Sequence, residues 1–143
     1  MDGLAQLSFL VQSALAETAG EHDLSIIQMR LLGVLRDREP TMNTLGRHLG
    51  LDKSSISGLV DRAQRRGLVS RAVSATDRRA IHVSITETGR RLAGQCVTKF
   101  AERIETLAAA LSHSDRQRLS HFASQIVAAD AVRRGIDLQT TVD

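Results

Sequence analysis

Two short stretches of the chain carry side chains whose types and spacing could do chemistry. One is Lys53-Ser54-Ser55-Ile56-Ser57-Gly58-Leu59-Val60-Asp61-Arg62, with Arg65 three residues further on. The other is Asp77-Arg78-Arg79. Both are rich in hydroxyl, ammonium and guanidinium donors. Such donors bond phosphate oxygens and base edges, and a guanidinium does so in a bidentate fork. The chemistry implied is recognition of a polyanion. Bond-breaking chemistry finds no support: the chain has no phosphate-binding glycine loop, no Gly-x-Ser-x-Gly elbow and no His-Glu-x-x-His. No enzyme and no cofactor are expected. Cys96, the single cysteine, cannot form an internal disulfide, and reads as an inert, partly buried thiol in a reducing cytoplasm. His113 and His121 lack the Cys/His/Glu company of a zinc site.

The charge distribution agrees with polyanion recognition. The net charge of the 143-residue chain is only +3. Between Leu45 and Arg91, however, ten Lys/Arg face four acids, a local net of +6, while the remainder holds nine Lys/Arg against twelve acids. A basic middle between acidic ends is the electrostatic footprint of a nucleic-acid binder. The only aromatics are Phe9, Phe100 and Phe122, all outside that middle. Single-strand and RNA modules stack bases on aromatic rings, so duplex DNA is the better partner.

The elements that must position these side chains follow from periodicity and capping. Leu4, Leu7, Val11, Ala14 and Leu15 predict a helix over residues 3–19, ended by Gly20. Ser25 and Gln28 form a capping box that opens a second helix, stopped by Pro40. Thr41 caps a third helix through Leu49, and Gly50 supplies the positive φ at its end. Asp52 caps a fourth, running to about Arg66 and terminated by Gly67. Two short helices about a glycine turn make a helix-turn-helix. At about 100° per residue, Ile56, Leu59, Val60 and Ala63 fall on the core side of the fourth helix. Ser54, Ser57, Gly58, Asp61, Arg62 and Arg65 fall on the other. Small outward residues cost helix propensity, and they suit a helix that must approach a groove closely. Arg62 and Arg65 can reach guanine or phosphate. Asp61 can accept from a cytosine amino group or pair with Arg65, and pairing is the favoured reading.

After this helix the period changes. Val69 to Val73 and the alternating Ile81, Val83, Ile85 predict a β-hairpin with a polar tip, Ser74 to Arg79. Thr86 then caps a fifth helix with the stripe Leu92, Val97, Phe100, Ile104, Leu107 and Leu111. Ser114 and Gln117 form a second capping box, opening a sixth helix that carries Leu119, Phe122, Ile126 and Val127. Residues 135–143 have no stripe. No apolar run is long enough to span a bilayer, and Met1 to Leu4 lack the basic start of a signal peptide, so a cytoplasmic protein is expected.

The run Asp77-Arg78-Arg79-Ala80-Ile81-His82-Val83-Ser84-Ile85-Thr86-Glu87-Thr88-Gly89 resembles the wing and exit of the MarR family, the multiple antibiotic resistance regulators. That pattern reads Asp-x-Arg, a short alternating strand, then Leu-Thr-x-x-Gly; here Ile85 stands in place of the Leu. Residues 51–62 and Arg66-Gly67-Leu68-Val69 resemble the family's recognition helix and its exit. The likeness is clearest over residues 24–92. It implies a mainly α fold with a small β-hairpin wing: a winged helix-turn-helix at about 24–90, joined to a helical dimerisation region at about 3–20 and 88–134, in one domain spanning 1–143.

The same resemblance implies an obligate homodimer, with Arg79 in the minor groove, Asp77 orienting it by a salt bridge, and Arg78 on phosphate. Lys53, Ser54, Ser55, Ser57, Gly58, Arg62 and Arg65 would meet the major groove. The expected function is a ligand-responsive repressor on a near-palindromic duplex operator. Its effector would be a small aromatic acid, a phenol, an oxidant or a metal, a small molecule being held between the dimer helices and the winged lobe. Arg30, His22 and His48 are candidate polar anchors for it, though packing suits each of them as well. The alternative is a winged-helix protein-interaction module without specific DNA binding.

Overall fold

A computed structural model describes residues 2–75 and 77–135. In chain order these form α1 (Asp2–Glu21), α2 (Ile26–Leu35), α3 (Met42–Leu49), α4 (Lys53–Arg65), β1 (Val69–Val73), β2 (Ile81–Ile85), α5 (Glu87–Leu107) and α6 (His113–Arg133). The fold is mainly helical with one antiparallel hairpin, in which Val69 lies opposite Ile85 and Val73 opposite Ile81.

The middle helices start where a side chain can satisfy their free N–H groups. Ser25 Oγ accepts from Gln28 N–H at 3.2 Å, and Gln28 Oε1 accepts from Ser25 N–H at 2.9 Å. Thr41, Asp52 and Thr86 accept likewise from Thr44, Ser55 and Gly89. Gly50 and Gly67 take φ of 67° and 69°, the left-handed turn that lets the chain leave α3 and α4. Between these turns the apolar faces meet. Leu31 from α2, Leu45 from α3, Val60 from α4 and Val83 from β2 are each 0% exposed and form the centre of the core. The segment before α3 joins the sheet edge: Val83 N–H donates to Pro40 O at 3.0 Å.

The Thr-x-x-Gly at the hairpin exit has a packing cause. Thr86 N–H donates to Leu68 O at 3.0 Å, and Thr86 Oγ1 donates to Gly67 O at 2.6 Å. This draws the start of α5 onto the chain entering β1. A Cβ on Gly89 would stand 2.1 Å from Leu68 O, so only glycine fits.

Three expectations need correction. α1 runs through Gly20 to Glu21, because glycine in a helix is only mildly costly and nothing else stops it there. α5 ends at Leu107, leaving Leu111 in the link to α6, and its buried residues are Gly89, Ala93 and Cys96. Of the predicted stripe, Val97 and Leu107 are exposed, while Leu92 and Phe100 pack partly on the core. Small residues face inward because α5 lies close against α1 and α2. α6 begins two residues before the expected box. Ser112 Oγ accepts from Asp115 N–H at 3.1 Å and donates to Asp115 Oδ2 at 2.6 Å. An anionic acceptor at the helix start outcompetes the neutral Gln117. Residues 136–143 of the expected tail, and Thr76 in the hairpin turn, lie outside the described residues.

Candidate nucleic-acid interface

α4 buries Ile56, Leu59, Val60 and Ala63. Lys53, Ser54, Ser55, Arg62 and Arg65 are exposed, and Ser57, Gly58 and Asp61 are half-exposed. The face expected to look outward does so. Its residues fall into two groups. Lys53 and Ser57 line a cleft with Asn43, Arg71, Asp77 and Arg79, between α3, α4 and the hairpin. Gly58 and Arg62 line a shallower groove with Ser54, Ser55, Leu51 and Ile27. Arg65 lines neither. A Cβ on Gly58 would meet only the mobile end of Arg62, at 3.3 Å, so the glycine is not required for packing.

Two of the expected contact serines are already engaged. Ser54 Oγ donates to Asp52 Oδ1 at 2.9 Å, and Ser55 Oγ donates to Asp52 Oδ2 at 2.9 Å. These bonds, together with the Ser55 N–H, hold the Asp52 carboxyl down at about 2. Each hydroxyl therefore presents lone pairs outward. To donate to a phosphate it must first leave Asp52.

At the hairpin tip Asp77 acts differently from the expectation. Its Oδ1 accepts from the Arg79 backbone N–H at 2.9 Å, and among the described contacts there is no ion pair between the two side chains. An aspartate at the head of a tight turn bonds the backbone two residues on more readily than a mobile guanidinium. Ala80 N–H donates to Asp77 O at 2.9 Å, and Ser74 N–H to Ala80 O at 2.9 Å, completing the turn. Arg78 and Arg79 stand exposed on it.

Asp61 also differs. It pairs with Arg71 Nη2 at 2.6 Å, not with Arg65. A surface pair four residues apart on a helix contributes only a few tenths of a kcal/mol, whereas Arg71 is the less exposed partner and is held by β1. Arg71 is the residue that sequence reasoning missed. The available signal was its register: it shares a strand face with Val69 and sits opposite the fully buried Val83. Two further cations of the basic middle, both exposed, are tied to backbone carbonyls. Arg66 Nη1 donates to Asp23 O at 2.7 Å, and Arg90 Nη1 to Arg36 O at 3.0 Å.

Of the three candidate anchors, His48 is held within its own neighbourhood. Its Nδ1 lies 3.0 Å from Thr44 O, and its Nε2 lies 3.3 Å from Arg38 Nη1. His22 is half-buried. Arg30 is exposed and lines an otherwise apolar cavity of about 180 Å³ with Leu15, Met29, Leu32, Ala93 and Cys96. Cys96 itself is 2% exposed, and burial pushes its thiol up, away from the reactive thiolate.

The sequence profile described as the MarR family matches residues 22–80, which take in α2, α3, α4, β1 and the turn. Over those residues the chain is similar to the MarR family. The chain is 27% identical over 109 residues to the homoprotocatechuate degradative operon repressor of Escherichia coli, covering 75% of this chain and 73% of that one. The fold matches the DNA complex of MepR from Staphylococcus aureus with a TM-score of 0.70 at 21% identity, over 88% of this chain and 94% of that one. It matches NadR in complex with 4-hydroxyphenylacetate with a TM-score of 0.73 at 18% identity, over 87% and 89%. These structural likenesses show the winged helix-turn-helix fold. Among the described residues no helix is long and apolar enough to cross a membrane.

Proposed function

We propose that the protein is a homodimeric, ligand-responsive repressor acting in the cytoplasm on a near-palindromic operator. Residues of about 24–90 read the DNA, and those of about 3–20 and 88–134 pair two copies. The observation that carries this reading is the outer face of α4: small residues at its centre, cations around it, and a cationic hairpin tip beside it. Lys53, Ser57, Gly58, Arg62 and Arg65 work at the major groove, with Ser54 and Ser55 joining once released from Asp52. Arg79 enters the minor groove and Arg78 holds phosphate; Asp77 shapes the turn that presents them. No catalytic step is assigned.

The dimer reading is supported by α6, whose Leu119, Phe122, Ile126 and Val127 are exposed on one chain. The repressor of Escherichia coli, similar over three quarters of this chain, supports the sign of control. The effector reading rests on the cavity between α1, α2 and α5. A dry cavity of about 150 Å³ accepts benzene, and this one, at about 180 Å³, offers apolar walls and the single cation Arg30. That combination suits a single-ring aromatic acid, with the carboxylate on the guanidinium.

The test is binding of the wild-type chain and Gly58→Glu to duplex DNA over a series of salt concentrations. Wild-type affinity is expected to fall steeply with salt as counterions are released. Gly58→Glu is expected to keep its melting temperature and lose specific binding. A salt-insensitive wild type, or full affinity in Gly58→Glu, would leave a protein-interaction module as the better reading.

A further inference from the structure

Asp61 lies on the face of α4 that the reading above turns toward DNA, in the same turn as Gly58 and Arg62. A bare carboxylate there would meet phosphates and repel them. The cation that answers it comes from the base of the hairpin, not from its tip. Arg71 stands at the middle of β1, opposite Val83. Its Nη2 lies 2.6 Å from Asp61 Oδ1 and donates to Ser57 O at 3.3 Å. One guanidinium thus grips two successive turns of the recognition helix. Its Nε is buried with no hydrogen-bond partner, so the group is committed to its inward position at some cost. Arg78 and Arg79 are under no such constraint.

We infer that Arg71 is a positioning residue that fixes the hairpin against α4 and masks Asp61 from the DNA; the inference rests on the DNA-binding reading above. Loss of Arg71 then has two separable effects. It uncovers the charge of Asp61, which any duplex feels. It also frees the hairpin to change its angle to α4, which only a duplex engaging both elements in register feels. Asp61→Asn removes the first effect and not the second.

The experiment measures binding to a random-sequence duplex and to a duplex recovered by the wild-type protein from a random pool. It compares Arg71→Ala, Asp61→Asn and the double variant, with circular dichroism melts of each. Arg71→Ala is expected to weaken the random duplex about tenfold at low salt, the scale of one or two like-charge contacts at a protein surface. Adding Asp61→Asn is expected to restore the random duplex to within about twofold of wild type, while the selected duplex stays about tenfold weaker. Should Arg71→Ala fail to fold, Arg71→Gln, which can still donate to Ser57 O, takes its place in the same comparison. A double variant as weak on random duplex as Arg71→Ala, with the salt slope reduced by about one, would make Arg71 a phosphate contact and overturn the inference alone. Wild-type binding by Arg71→Ala on both duplexes would overturn it as well. A wild-type protein that binds neither duplex overturns the DNA-binding reading and this inference with it.

Discussion

The winged lobe and α6 are built from similar residues and end in opposite states. From α2 to β2 the lobe closes its own core, with Leu31, Leu45, Val60 and Val83 wholly buried. α6 is 21 residues long and buries only Ala131. Its Phe122 is 55% exposed and Ile126 59%. A helix with this much open apolar surface is not finished by its own chain. The outer face of α1, with Leu4, Phe9 and Leu10 exposed, is in the same condition. Ala19 of α1 and Ala93 and Cys96 of α5 join the lobe's core, while α6 and the outer face of α1 stay outside it. A second copy completes them under the dimer reading, and the spacing of two recognition helices then follows from how the unfinished surfaces pack.

The comparison is broken most directly by charging α6. Phe122→Glu with Ile126→Glu would bury two unpaired carboxylates in a dimer interface built on α6, costing several kcal/mol. Light scattering is expected to return a monomer mass at micromolar concentration. Affinity for a selected duplex should fall by on the order of 100-fold or more, because one lobe reads too short a site. The lobe's own core should survive as a cooperative unit in a thermal melt. A double variant that remains dimeric would place the interface elsewhere.

A smaller effect is expected within the lobe, where it sharpens what the hairpin tip contributes. Arg79→Ala should cost about 1–3 kcal/mol on a selected duplex, as for a good groove contact. Arg78→Ala should weaken selected and random duplexes alike and lower the salt slope by about one. Asp77→Ala should resemble a mild Arg79→Ala. Asp77 holds the Arg79 backbone N–H at 2.9 Å, so its loss loosens the turn without removing the cation. Binding isotherms at several salt concentrations separate the three. If Arg78→Ala proves the worse, the groove assignment of Arg79 is wrong.

The same contrast explains what was legible in the sequence. The lobe is governed by rules that act over three or four residues. Ser25, Thr41, Asp52 and Thr86 cap the helices expected of them, Gly50 and Gly67 take positive φ, and the hairpin pairs Val69–Val73 with Ile81–Ile85. The face of α4 followed from its period. Where two local rules competed, the reading slipped. Ser112 with Asp115 and Ser114 with Gln117 both match a capping pattern, and the one used is Ser112, which accepts from Asp115 N–H and donates to the Asp115 carboxylate. Where tertiary contact decides, periodicity of large apolar residues was the wrong guide. The inner face of α5 is Gly89, set against Leu68, followed by the small Ala93 and Cys96. At the site, the identities of outward residues were legible but their partners were not. The Asp61–Arg71 pair spans two elements, and the cost of exposing an acid beside DNA does not say which cation answers it. The hydroxyls of Ser54 and Ser55 read as free donors, yet the cap of their own helix claims them.

That cap yields the smallest effect and the finest test of the lobe. Asp52 has its carboxyl held at about 2, below the ordinary 3.8, chiefly by the Ser55 N–H and by the hydroxyls of Ser55 and Ser54. A depressed carboxylate contributes stability above its unfolded value, and that contribution is lost as pH falls through the folded one. The window is therefore about pH 4 down to about pH 2. Asp52→Ala is expected to melt lower than wild type at neutral pH, by no more than a few degrees, since the group is exposed and screened. The gap should narrow through that window and close near its lower end, where wild type has lost the same bonds by protonation. Asp52→Asn keeps an oxygen acceptor for the Ser55 N–H and carries no charge. Its melting temperature should lie between the other two at neutral pH and converge with Asp52→Ala less than wild type does, because its cap does not titrate. Loss of the cap frees Ser54 and Ser55 as donors, so Asp52→Ala should bind random duplex at least as well as wild type despite being less stable. Parallel losses of stability and random-duplex affinity would instead mean that the capped start of α4 is itself part of the contact surface.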